Sequence, residues 1–238
     1  MTTPGGRTAL VTGASRGIGL EVVRHLTSHG FRVAMVARSS SALEARAAEL
    51  GALALPLTCD VSDEAAVRAM ADRVSVEFGG PPDVIVNNAG LFKLAPVART
   101  SVEDFRAALD VNLVAPFMIV RAFIGAMQDR KSGHVVTIGS IADRMTFPDN
   151  GAYAASKFGL RALHEVLRGE LRGSGVRATL VSPGPVDTPL WDEIDPDTRP
   201  GFTPRKSMLP AAAVAEAVWY VLSQPETVNV DELRLSHS

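Results

Sequence analysis

Tyr153 and Lys157 stand four residues apart in the stretch "YAASKFGL". On a helix that spacing puts both side chains on one face, about one turn from each other. A free tyrosine titrates near ~10, so its phenol exchanges protons poorly at neutral pH unless a nearby positive charge stabilises the phenolate. The lysine supplies such a charge. Thirteen residues upstream, Ser140 closes the apolar run "HVVTIGS" with a hydroxyl that can bond a carbonyl or alcohol oxygen, and Asn112, in "DVNLVAPF", can reach the same pocket. Together these side chains suit proton transfer to an oxygen whose carbon gains or loses hydride. Singly, each has an ordinary alternative: a capping serine, a half-buried tyrosine, a surface lysine, an asparagine at a helix–loop junction. The readings separate on whether the elements that carry the four residues end on one rim.

The elements are legible as an alternation. The strand-like runs "TALVTG", "FRVAMVAR", "ALALPLTCD" and "DVIVNNAG" are each followed by a helical pattern, beginning near residues 16, 41, 63 and 101. The second half adds "GHVVTIGS", the helix that carries Tyr153, "GVRATLVSPG", a helix from about Ala211 and a last strand near "ELRLS". Apolar strands separated by helices predict an α/β fold, a doubly wound parallel sheet of about seven strands with helices on both faces. Residues 1–238 read as a single domain, with a loose, proline- and charge-rich segment at about 188–210 as a substrate loop or a surface excursion.

In such a sheet, ligands bind beyond the carboxyl ends of the strands, where the strand order reverses. "TGASRGIG" lies at the first such end, and Gly13, Gly17 and Gly19 permit a tight turn and a close approach to a pyrophosphate at the helix amino terminus. "NNAG" ends the fourth strand and places Asn87, Ala89 and Gly90 on the crevice; Asp60, ending the third, either accepts from an adenine amino group or caps the next helix. The second strand ends with Ala37 and Arg38, where an acidic residue would bond the ribose hydroxyls of NAD(H). With Arg16 in the glycine turn, two guanidinium groups are available to a 2′-phosphate. NADP(H) is therefore the expected cofactor, with NAD(H) possible, unless both arginines are merely solvated.

Composition narrows the partners. With 238 residues, 46% hydrophobic and 21% charged, the chain can build one sizeable core. A net charge of −2 without a basic run lacks the footprint of a nucleic-acid binder. One cysteine, Cys59, excludes an internal disulfide framework and fits a reducing compartment. The amino terminus has no leader pattern and no run approaches a membrane span, so a cytoplasmic, membrane-free protein acting on a small molecule is expected, with no metal.

These motifs resemble the short-chain dehydrogenases/reductases, in their single-domain, Rossmann-like subgroup of about 250 residues. "TGASRGIG" is similar to that family's cofactor turn, "NNAG" to its fourth-strand motif, and Asn112, Ser140, Tyr153 and Lys157 to its Asn-Ser-Tyr-Lys tetrad; "SPGPVDTP" looks like the segment after its sixth strand. The resemblance implies Tyr153 as acid/base, with Lys157 lowering its pKa and holding the nicotinamide ribose. It further implies Ser140 orienting the substrate oxygen and Asn112 holding a relay water. Cofactor contacts would come from Gly13, Ser15, Arg16, Gly17, Ile18, Gly19, Arg38, Asp60, Val61, Asn87, Ala89, Gly90, Tyr153 and Lys157. Pro183, Gly184, Val186 and Thr188 would meet the nicotinamide half. Met145, Phe147, Leu190 and Trp191 would wall the substrate pocket, Phe92 would close its near side, and Asp143 and Arg144 would point into solvent. A homotetramer or homodimer and a carbonyl or alcohol substrate are implied too. The ending "VNVDELRLSHS" lacks the terminal "DGG" of many acyl-carrier-protein ketoreductases in the family, which weakens a fatty-acid role. A catalytically silent dinucleotide-binding sensor or scaffold is the rival of another class, and the complete tetrad counts against it. A transient use of nicotinamide for epimerisation or dehydration is a second rival, disfavoured by the lack of a substrate domain.

Overall fold

In the computed structural model, residues 6–238 are described; residues 1–5, part of the leader-free opening expected from the sequence, lie outside them. The first half alternates β1 (Thr8–Thr12), α1 (Gly17–Ser28), β2 (Arg32–Ala37), α2 (Ser40–Leu50), β3 (Ala54–Thr58), α3 (Glu64–Phe78) and β4 (Val84–Asn87). The second runs through α4 (Val102–Leu109), α5 (Ala115–Arg130), β5 (Gly133–Ile138), α6 (Gly151–Glu170), β6 (Val176–Pro183), β7 (Val186–Asp187), β8 (Leu209–Pro210), α7 (Ala211–Leu222) and β9 (Glu232–Leu235). Seven strands form one parallel sheet in the order β3-β2-β1-β4-β5-β6-β9. The direction of winding reverses between β1 and β4, whose residues Ala9 and Val84 are in register.

Residues alternate across the sheet because strand side chains have a period of two. Ala9, Val11, Val84 and Val86 join Val22, Val23 and Leu26 of α1, Leu43 of α2 and Val214 and Val218 of α7 in one core layer. Leu10, Ile85 and Val135 join Val67 and Val74 of α3 and Ile119, Phe123 and Met127 of α5 in the other. Both faces are therefore covered, which is why the strands read as nearly continuous apolar runs.

Two features depart from the reading of the sequence. Asn112 does not sit in a regular helix: Asp110–Val114 is a π turn that joins α4 to α5. Pro116 has no N–H to offer the Asn112 carbonyl four residues earlier, so the ladder widens there and the Ala115 N–H bonds the Asp110 carbonyl instead. The joined helix, Val102–Arg130, has 29 residues and is long and apolar enough by length and composition to cross a membrane, contrary to the expectation that no segment would be. In the fold one stripe of it, Ile119, Phe123 and Met127, is packed in the core.

Candidate active site

The ends of β1 to β6 open into two cavities that share Ile18, Asn88, Gly90, Thr188 and Leu190, so they form one crevice across the reversal point. The cavity of about 910 Å³ lies over β1 to β3 and the cavity of about 680 Å³ over β4 to β6. A sheet whose winding reverses splays its helices apart at that point and leaves this space.

The larger cavity is built around the turn into α1. Gly13 has φ 66°, and a Cβ there would lie 2.9 Å from the Asn88 Nδ2. Gly19 meets the Gly13 carbonyl and the Asn88 amide so closely that no side chain fits. Arg16 is the N-cap of α1 and gives no side-chain cap, so the first-turn N–H groups are left for a ligand. Thr12 locks this turn to the "NNAG" segment: its hydroxyl accepts from the N–H groups of Asn88 (3.0 Å) and Ala89 (2.9 Å). Arg16 and Arg38, both exposed, line this cavity beside buried Ala37, and neither joins an ion pair among the described residues. The carboxylate of Asp60 accepts from the Ser62 hydroxyl (2.7 Å) and N–H (3.0 Å), bonds that hold its pKa below the usual value. Asp63, not Asp60, caps α3 by accepting from the Ala65 and Ala66 N–H groups.

Ser140, Tyr153 and Lys157 line the smaller cavity together. Ser140 follows β5 and caps the short turn Ile141–Asp143, its Oγ accepting from the Ala142 N–H at 3.1 Å. The Lys157 Nζ donates to the Ile138 carbonyl at 3.0 Å and lies 5.6 Å from the Tyr153 ring centre. Burial pushes the phenol up to about 12, against the opposing pull of the Ser140 hydroxyl, and pushes Lys157 down to about 8. In this geometry desolvation and the charge of Asp143 raise the phenol, and the Ser140 hydroxyl is what opposes them.

Other expected residues fall into place unevenly. Ser15, Gly17, Asp60, Val61 and Ala89 line the larger cavity, Pro183, Gly184 and Val186 the smaller, and Ile18, Gly90 and Thr188 both. Gly19, Asn87 and Asn112 line neither. Asn87 is buried with both amide atoms unpartnered, while its neighbour Asn88 reaches both cavities and donates to the Thr12 carbonyl at 2.8 Å. The motif held that signal, but only the end of β4 decides which asparagine faces out. Asn112 is fully buried: its Oδ1 accepts from Leu91 N–H (2.7 Å) and its Nδ2 donates to the Leu91 carbonyl and to Ser156 Oγ, both at 2.9 Å. Its side chain thus fixes the "NNAG" loop to α6.

Met145, Phe147, Leu190, Trp191 and Phe92 all line the smaller cavity. Asp143 and Arg144 do not point into solvent. Asp143 is 1% exposed and accepts from Ser182 Oγ (2.5 Å), Arg144 Nε (2.7 Å) and the Ser140 N–H (3.4 Å); Arg144 also pairs with Glu232 of β9. The turn after β5 folds back onto β6, a tertiary contact that local sequence does not encode.

Comparison with known proteins bears on this site. The short chain dehydrogenase family matches residues 7–199. Dehydrogenase/reductase SDR family member 11 of Gallus gallus is 36% identical, over 97% of this chain and 95% of its own. A metagenomic short-chain oxidoreductase (SDR) solved in complex with NADP is 33% identical with a TM-score of 0.84, covering 98% of this chain and 99% of that one. An alcohol dehydrogenase from the archaeon Thermococcus sibiricus, complexed with 5-hydroxy-NADP, is 32% identical with a TM-score of 0.85, covering 97% and 96%. With the parallel seven-stranded sheet and the motifs at its carboxyl edge, these matches make the chain a member of the short chain dehydrogenase family of oxidoreductases.

Proposed function

We propose that this protein is an NADP(H)-dependent oxidoreductase that interconverts a carbonyl compound and its alcohol, with Tyr153 as acid/base. The observation that carries the reading is the convergence of Ser140, Tyr153 and Lys157 on one cavity wall beside the glycine turn of α1. The crevice fits a dinucleotide: uncapped N–H groups of α1, a cradle at Gly13 that a Cβ would fill, and a wall running from Arg38 to Thr188. When bound, the nicotinamide supplies or accepts the hydride at the substrate carbon. Ser140 orients the substrate oxygen, and Tyr153, protonated at neutral pH because burial raises its pKa to about 12, donates the proton that oxygen needs on reduction. Lys157 keeps a cation beside the phenol for the reverse transfer and would hold the ribose. Arg16 and Arg38, with Ala37 leaving no carboxylate, favour a 2′-phosphate, and the two solved relatives that hold NADP or its 5-hydroxy derivative support that choice.

The whole chain acts as one unit in this reading, and we infer a homodimer or homotetramer, since Phe105, Phe117, Phe158 and Val166 of α4, α5 and α6 are exposed; light scattering reads its mass. Spectrophotometric consumption of NADPH with a panel of ketones and aldehydes tests the activity. Tyr153→Phe should cut turnover by the roughly 10²–10⁴-fold of a positioned acid/base while NADPH binding is little changed. NADPH binding without turnover on any carbonyl would favour the silent dinucleotide binder, and full activity in Tyr153→Phe would exclude the mechanism.

A further inference from the structure

The smaller cavity carries more than a catalytic floor. An aromatic series runs edge to face from the reacting phenol outward: Tyr153 to Phe92 at 4.7 Å between ring centres, Phe92 to Trp191 at 5.0 Å, and Trp191 to Phe202 at 6.4 Å. All four rings line the cavity, with Met145 and Phe147 in the turn after β5 among its other apolar residues. Trp191 and Phe202 belong to the segment 188–210. That segment is held in place: Val186 and Asp187 pair with Leu209 and Pro210, the Trp191 Nε1–H donates to the Val186 carbonyl at 3.0 Å, and Arg205 bonds Asp187 and Asp192. The charges are as telling as the rings. Among the described residues no arginine or histidine lines this cavity; the one cation there, Lys157, already donates to the Ile138 carbonyl, and the one carboxylate is that of Asp149. A substrate carboxylate or phosphate held among the rings, away from Lys157, would be desolvated without a cationic partner, at a cost of several-fold to many-fold in binding.

We propose that Phe92, Trp191 and Phe202 form an aryl subsite, so that the substrates are uncharged ketones or carbinols with an aromatic ring one or two bonds from the reacting carbon. This rests on the oxidoreductase reading above and adds what the cavity selects. Ring pairs at these separations are worth about 0.5–1.5 kcal/mol each beyond area burial, or roughly two- to tenfold per contact.

Three ketones measure the selection on the full chain with saturating NADPH: acetophenone, 2-octanone with the same number of carbons, and 4-acetylbenzoate, the first with a carboxylate added. The expected kcat/KM for acetophenone exceeds that for 2-octanone by roughly tenfold or more and that for 4-acetylbenzoate by about 100-fold. Phe92→Leu and Phe202→Leu should each shrink the acetophenone to 2-octanone ratio about two- to tenfold, whereas Trp191→Phe, which keeps a ring, should preserve most of it. Equal use of acetophenone and 2-octanone, or turnover of 4-acetylbenzoate as fast as acetophenone, would overturn the subsite and leave the oxidoreductase standing. Calorimetric titration of 1-phenylethanol into the protein with NADP⁺ separates the two ideas: binding that Phe92→Leu weakens, with no turnover of any ketone, supports the subsite and sinks the oxidoreductase. Neither binding nor turnover sinks both.

Discussion

A half-buried phenol and a buried ammonium share one face of α6, and their behaviour is set by what surrounds them rather than by each other. With the phenol near 12 and Lys157 near 8, both groups are protonated at neutral pH, the state suited to delivering a proton. Ketone reduction should accordingly be level below pH 8 and decline above it as Lys157 loses its charge; Lys157→Met should abolish that limb of the kcat profile together with most activity. Asp143 raises both groups through its charge, with Arg144, Arg161 and Glu232 as the other charged groups facing it. Asp143→Asn keeps an acceptor for Ser182 and removes the charge, so the alkaline limb should move to lower pH. An unmoved limb would show that the carboxylate only holds the turn together. At the other end of the crevice, Ala37→Asp with Arg38→Leu should reverse or collapse the preference for NADPH over NADH in kcat/KM; a wild type that uses both equally would rule out the phosphate role of the arginines.

At the scale of elements, the π turn between α4 and α5 does the positioning. It turns the Asn112 side chain inward to clamp the Leu91 peptide from both ends and to meet Ser156 on α6. Asn112→Ala strands a buried N–H, a carbonyl and a hydroxyl partner, and unsatisfied groups of this kind cost about 1–3 kcal/mol. Urea denaturation should show a loss of that order, with turnover falling as well because the clamp ties Leu91, on the wall of the larger cavity, to α6, which carries Tyr153 and Lys157. If stability drops and turnover does not, Asn112 is a fold residue alone.

For the whole molecule, two buried histidines set the response to acid. His134 is bonded to Thr179 between β5 and β6 and His164 of α6 to Thr137 of β5, and burial pushes their pKa values down to about 3 and about 4. Between those values and the ordinary 6.5, the unfolded chain binds protons that the folded one refuses. Stability is therefore full above about pH 6.5 and is lost as the pH falls toward 4, each unit of separation counting for about 1.4 kcal/mol. The Tm should fall steeply between pH 6.5 and 4.5, and His164→Gln should flatten that slope. A Tm independent of pH over this range would contradict the burial of both rings.

By itself the sequence determined the order of strands and helices, because strand runs buried on both faces are apolar throughout and glycine turns mark where they end. It determined the parallel sheet and the grouping of Ser140, Tyr153 and Lys157 too, since those residues sit at strand ends or one helical turn apart. Only the tertiary structure decided which of Asn87 and Asn88 faces the crevice, because that depends on where β4 stops pairing with β5. It alone decided that Asp143 is buried against Ser182, thirty-nine residues on, and that Trp191 meets Phe92, with Phe202 against Trp191, from a segment with no local periodicity. Local spacing specifies a helix face or a strand alternation; which distant side chain fills the space opposite is settled by packing between elements, and no single stretch of sequence carries that information.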